Sequence, residues 1–241
     1  MFKRLFFIAL VAFTAMPRIS MAADAQTQFA VRKFYAVPLV TSQSELVIFD
    51  TRPLGQKQQI RITYMTPVKT EQFLATGDGV YKLKVPVTSG HAFIEAEYGF
   101  ISAYTTVMGA TIAAVELNTQ SRSFHGSVRL VDGKIYSTGI SIVNPASVPT
   151  NFTLWVKTEG DRVVAFETFR IPEGGQRMQF LHELIRNMPE GEFSIGVVGG
   201  EMMTTGMPGV WDRGLAVAAV SYNLATGLFE TVPVKAAGID K

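Results

Sequence analysis

The sequence predicts an all-β protein, two tandem antiparallel β-sandwiches with one short helix in the second, and three observations carry that reading. From residue 29 onward the chain is a succession of short runs rich in Val, Ile, Phe, Tyr and Thr, punctuated by Gly, Pro, Asn and Asp, which is the rhythm of strands and turns. Several runs alternate polar and apolar residues, the period of a strand with one face in a core. Segments of the first half also recur in the same order in the second, the mark of an internal repeat.

The N-terminus stands apart from this pattern. Lys3 and Arg4 precede an uncharged apolar run from Leu5 to Met16, Pro17 breaks it, and Ser20 and Ala22 supply small residues three and one before a cut. Residues 1–22 therefore read as a secretory signal peptide cleaved after Ala22. The run is shorter than the ~20 residues that span a bilayer, so export rather than anchoring is expected. Two domains follow, residues 23–120 and 121–241, divided near Asn118-Thr119-Gln120-Ser121-Arg122-Ser123, a polar stretch between apolar runs.

Within the first domain, Gln59 to Tyr64 alternates, as does Tyr81-Lys82-Leu83-Lys84-Val85, whose two lysines share a wet face. In the second, Asn151 to Lys157 alternates and leads through the turn Glu159-Gly160-Asp161 to a return strand, Val163 to Ile171. Phe180, Leu181, Leu184, Ile185 and Met188 have helical spacing, which predicts a helix over 179–188 ended by Pro189.

The repeat aligns Phe34 to Val37 with Phe124 to Val128, and Leu46 to Asp50 with Ile140 to Asn144, each followed by a Pro-containing turn. The next strand ends in Tyr64 or Trp155. Gly90 to Ala96 then matches Gly191 to Val197, and Ala110 to Val115 matches Leu215 to Val220. The small residues in the last pair suggest strands crossed at close range by the facing sheet.

The order Thr138 to Pro145, an alternating strand, Phe169-Arg170-Ile171-Pro172-Glu173-Gly174-Gly175-Gln176, Phe180-Leu181-His182-Glu183-Leu184 and Phe229 to Val234 resembles repeated β-sandwich (Ig-like) modules of secreted bacterial proteins. The resemblance covers residues 124–235. It implies an Ig-like sandwich and export, and it carries no catalytic residues over.

Several function classes lose their footing. Lys3, Arg4 and Arg18 all precede the first acid, Asp24, so signal removal turns the formal charge of +2 into a surplus of one negative charge. With no basic run beyond, nucleic acid is not an expected partner. The absence of Cys leaves no thiol nucleophile and no disulfide. No Gly-x-Ser-x-Gly elbow occurs. His91, His125 and His182 lie in separate segments, and Arg186 stands where a metalloprotease helix needs a second His. Gly77-Asp78-Gly79 lacks the ligands of a calcium loop. Glu95 and Glu97 share one strand face, as sugar-hydrolysing carboxylates would, but a solvated sheet face accounts for them.

The segment from Gly199 to Gly214 is long for a connection. Its Met202, Met203, Met207 and Trp211 are apolar groups on a glycine-rich backbone, which suits docking of a protein partner; thioether binding of copper and sugar stacking on Trp211 are the rival readings. The expectation is an exported, non-enzymatic adhesion, scaffold or cell-surface module, without cofactor or metal, periplasmic or extracellular, with a protein or cell-surface partner and a capacity for self-assembly. The alternatives are a periplasmic chaperone of two Ig-like domains and a secreted protein that binds or acts on polysaccharide.

Overall fold

The computed structural model describes residues 32–99, 101–160, 162–199 and 214–237. The expected signal peptide, residues 1–22, lies outside the described residues, as do Met202, Met203, Met207 and Trp211. The described chain is all-β. In order, the strands are β1 (Lys33–Thr41), β2 (Glu45–Asp50), β3 (Lys57–Tyr64), β4 (Lys69–Thr76), β5 (Val80–Lys84), β6 (Ser89–Ala96), β7 (Ile101–Val107), β8 (Ala110–Ala113) and β9 (Val115–Glu116). Then come β10 (Ser121–Val131), β11 (Lys134–Ser137), β12 (Gly139–Val143), β13 (Thr150–Lys157), β14 (Val163–Ile171), β15 (Gln176–Phe180), the helix α1 (Leu181–Leu184), β16 (Gly191–Gly199), β17 (Ala216–Asn223), β18 (Leu228–Val232) and β19 (Lys235–Ala236).

Four antiparallel sheets result. Sheet I has the order β4-β3-β6-β1-β9 and sheet II the order β5-β2-β7-β8; sheet III runs β11-β10-β16-β13-β14, with β19 on β10, and sheet IV runs β15-β12-β17-β18. Sheets I and II enclose one core, in which Ile48, Ile60, Ile62, Tyr64 and Ile94 are fully buried. Sheets III and IV enclose a second around Phe152, Leu154, Ile171, Leu181 and Ile195. Alternation sets the register: β3 buries Gln58, Ile60, Ile62 and Tyr64 and exposes the residues between them, apart from a half-buried Thr63. On β5 both lysines are exposed.

The two halves share a strand order, β4-β3-β6-β1 and β5-β2-β7-β8 in one, β14-β13-β16-β10 and β15-β12-β17-β18 in the other. Three of the aligned segments fall on corresponding strands. The fourth does not: Ala110 to Val115 lies on β8 and β9, whereas Leu215 to Val220 enters β17, which occupies the place of β7. Composition misled here, because both segments are rich in Ala for different reasons. Tyr64 and Trp155 also differ: Tyr64 points into the core, and Trp155 is only half-buried, on the opposite face of its strand from buried Leu154 and Val156.

The helix expected over 179–188 is confined to Leu181–Leu184. Gln179 and Phe180 are held in the ladder with Ile140 and Gly139, and Ile185 returns to an extended conformation. Local periodicity was overridden by pairing with β12.

Turns at one end of each core are closed by buried polar groups. In the first half Asp50 and Arg52 form an ion pair with side chains 0% and 4% exposed. Gln58 Nε2 donates to Asp50 Oδ2 (3.2 Å) and to the Gly99 carbonyl (3.2 Å), while Gln58 Oε1 accepts from the Tyr98 amide (3.2 Å). Gly77 is required beside them, because a Cβ there would stand 2.0 Å from the Pro53 carbonyl oxygen. In the second half Asn144 directly follows β12, in the place that Asp50 takes at the end of β2, and its Nδ2 donates to the carbonyls of Val148, Ile171 and Pro172 (2.9, 3.1 and 2.9 Å).

Burial alone would raise the Asp50 pKa, but hydrogen bonds from Arg52 and Gln58 and the guanidinium charge outweigh it and hold the carboxyl below its ordinary value. The stability this confers is present above the ordinary carboxylate range and is lost as pH falls through the lowered pKa. Asp50→Ala leaves a buried guanidinium unpaired and should cost about 3–5 kcal/mol in urea unfolding. Tyr64→Phe makes the contrast: the Tyr64 hydroxyl is buried with no hydrogen-bond partner among the described residues, so its removal should leave stability unchanged or raise it by about 1 kcal/mol.

Candidate functional site

The polar residues singled out from sequence do not converge. His91 is buried between the halves, His125 is exposed on β10, and His182 Nδ1 lies 2.6 Å from Ser137 Oγ. Among the described residues no group of three His, Asp or Glu is placed to hold a metal ion. Glu95 is engaged by Arg32 (2.6 Å) and Arg61 (3.5 Å), and Glu97 Oε2 accepts from the Gln59 amide (3.1 Å). Both carboxylates are thus occupied within sheet I. Gly199 and Gly214, which flank the Met-rich segment, are both tied to the connection between the halves, by Gly199 N to Gln120 O (2.8 Å) and Gly214 N to Leu117 O (3.0 Å).

What the fold does assemble is a junction. Sheet IV turns Ile140, Ile142, Val217 and Ala219 into the second core; its other face meets the first half. There Val143 and Ala216 join Ala36 and Leu117 in a small buried cluster, while Ala218, Val220 and Phe229 pack on the first core. Ala216 and Ala218 of β17 thus serve close approach of the other half, while Ala219 faces the second core. Polar groups on this face are paired across the junction: Ser141 Oγ and Gln176 Nε2 both donate to the Pro38 carbonyl (2.6 Å each). His91 Nε2 lies 2.9 Å from the Gly174 carbonyl oxygen and its Nδ1 3.4 Å from Gln176 Oε1. The edges β8 and β18 also meet, through Phe229 N to Met108 O (3.0 Å) and Thr111 N to Thr231 Oγ1 (2.9 Å), so each shields the other from stray strand pairing.

Beside this contact the halves part to leave a cavity of about 300 Å³. Leu39, Val107 and Met108 line it from the first half, and Met178, Phe180, Val220 and Phe229 from the second. Phe180 and Phe229 stack at 6.5 Å between centroids. Met108 and Met178 are 63% and 54% exposed at its mouth. Glu183 is its one charged lining residue, and its carboxylate accepts from the Phe180 amide (3.1 Å). The edge strand β15 runs beside it with β12 as its only sheet neighbour among the described residues. Sequence reasoning missed this cleft, since its lining comes from seven separate segments of chain. A second, polar cavity of about 360 Å³ is lined by Tyr136, Tyr222, Arg129 and Glu230.

Compared with protein-family models, with curated proteins and with solved structures, the chain matches none of them. The described residues contain no helix long and apolar enough to cross a membrane.

Burial pushes the His91 pKa down, and the acceptors on Gln176 and Gly174 only partly oppose it. In the unfolded chain the imidazole takes up a proton near pH 6.5, whereas in the junction it stays neutral to lower pH. Its contribution to stability is therefore complete above that value and falls as the medium is acidified toward the folded pKa. His91→Gln, which cannot titrate, should lose less thermal stability than the wild type between pH 7.5 and pH 5, as read by melting curves at the two pH values. An equal or larger loss would refute the assignment.

Proposed function

We propose that this chain is an exported, non-enzymatic interaction protein of two Ig-like domains, and that the apolar cleft between them receives an extended apolar segment of a protein partner. The observation that carries the reading is the cleft itself, a cavity whose lining surface is mostly apolar, with Thr41, Ser89, Ser141, Gln179 and Glu183 as its polar members, beside the open edge of β15. An extended segment laid along β15 gains main-chain hydrogen bonds from the edge and buries alternate side chains in the cavity. The signal-like N-terminus supports export to the periplasm or cell surface, and the motif order over 124–235 supports the Ig-like domain type. Anchoring of the halves at Pro38 and His91 favours a preformed rather than an induced site.

The related reading, a chaperone that grips a subunit's terminal carboxylate with cleft cations, finds no support in the cleft, whose lining holds neither Arg nor Lys. The four residues Met202, Met203, Met207 and Trp211 are a separate docking proposal, tested by replacing all four with Ala.

A photo-crosslinking side chain at Met178, introduced into the full exported chain in its native cell, should yield one dominant protein adduct. Met108→Glu places a charge at the mouth on an exposed side chain and should weaken that adduct about tenfold or more without lowering Tm. Adducts indifferent to Met108→Glu would remove the cleft from consideration.

A further inference from the structure

The outer face of sheet III, on the far side of the second core from the cleft, carries a feature that the cleft reading does not use. Trp155 falls on the polar phase of β13, between Thr153 and Lys157, with Leu154 and Val156 buried behind it. Its neighbour across β16 is Gly196. A Cβ at Gly196 would lie 1.9 Å from Cζ2 and 2.1 Å from Cε2 of the indole. The ring therefore lies down over β16 in space that any side chain at 196 would fill.

The row continues on both sides. Phe166 on β14 stands opposite Trp155 and is 65% exposed. Ser123 stands opposite Gly196 on β10, and Lys235 opposite Ser123 on β19. Two aromatic rings are thus followed by two small residues and a cation, a flat strip across five strands. Hydroxyls border it: Thr153 and Thr168 lie 3.3 Å apart, and Ser194 is opposite Lys157. Lys157 Nζ sits 4.8 Å from the centroid of the Trp155 ring.

The same position in the first half is built differently. There Arg61, Glu95 and Phe34 stand in the places of Trp155, Gly196 and Ser123, and the Arg61–Glu95 ion pair closes the face. The strip belongs to the second half, and fold alone does not require it.

We propose that this strip binds an acidic polysaccharide, with one pyranose ring laid on Phe166 and the next on Trp155 once Lys157 swings from over the indole toward a uronate carboxylate. The faces of the aromatic rings are electron-rich and attract the polarised C–H groups of a sugar's flat side, while the bordering hydroxyls exchange hydrogen bonds with its rim. A flat, open strip suits a linear chain of rings, whereas the anchors of protein interfaces sit in enclosed pockets. Charge selects the acidic class. Lys235 and Arg170 lie on this face, and its carboxylate at Glu192 is already paired with Arg129 (2.8 Å); uronate carboxylates complement that surplus.

The test uses the purified full chain and is independent of the cleft, since Met108→Glu should not alter it. Native electrophoresis through gels containing polygalacturonate, alginate or a neutral glucan should retard the protein in at least one of the two polyuronates and not in the glucan. In a Trp211→Phe background, where Trp155 is the sole indole, the same polyuronate should shift the fluorescence. Trp155→Ala should weaken retardation about tenfold or more, and Arg170→Glu with Lys235→Glu should abolish it while leaving the circular dichroism spectrum and Tm unchanged. No retardation in either polyuronate overturns the proposal. So does retardation that survives the charge reversals, equal retardation in the glucan, or loss in Trp155→Ala only through unfolding while the charge reversals bind normally.

Discussion

The centre of sheet IV, β12 and the first half of β17, is buried on both faces, and that constraint shapes the rest of the molecule. All five residues of β12 are buried. Its Ile140 and Ile142 complete the second core, and Gly139, Ser141 and Val143 face the first half. A strand loaded on both sides cannot carry bulky residues on both without forcing its neighbours apart. Ala216 and Ala218 on β17 and Gly139 on β12 keep that second face low. The cost is a polar group, Ser141, with no access to water, and the Pro38 carbonyl satisfies it together with Gln176. Where the low face ends and Met178, Phe180 and Phe229 rise, the halves no longer fit closely, and the cleft opens.

Each half also meets the same problem at the end of β2 or β12, where the chain leaves a sheet through a Pro-containing turn and strands carbonyls and amides in the interior. One half answers with an ion pair, Asp50 with Arg52, held by Gln58; the other answers with a neutral amide, Asn144, that reaches three carbonyls. The ionic solution is sensitive to acid and to loss of either partner. The amide donates to three carbonyls, accepts from the Ala146 amide, and buries no charge. At the outer face the halves diverge again, with an ion pair at Arg61 and Glu95 in one and a flat indole over Gly196 in the other.

Much of this was legible. The alternation of Gln59 to Tyr64 and of Asn151 to Lys157 placed those strands and the faces they bury, and Glu159-Gly160 marked the hairpin to β14. The helical spacing of Phe180 to Met188 misled, because ladder partners for Gln179 and Phe180 lie forty residues away in β12. Trp155 was visible as an aromatic residue on the wet phase of an alternating strand, a signal that gains meaning only beside Gly196. The cleft left no local mark, since Leu39, Val107, Met178 and Phe229 each read as ordinary strand residues.

The sequence by itself determined that the protein is all-β, without disulfides, and which face of most strands is buried, because strand period and composition act over neighbouring residues. Tertiary structure alone decided which strands stand side by side, that β12 and the first half of β17 are buried twice, and that an apolar cleft and an aromatic strip lie on opposite sides of the second half. These depend on residues brought together from distant parts of the chain, and a local pattern of polar and apolar residues holds no record of what its far neighbours will be.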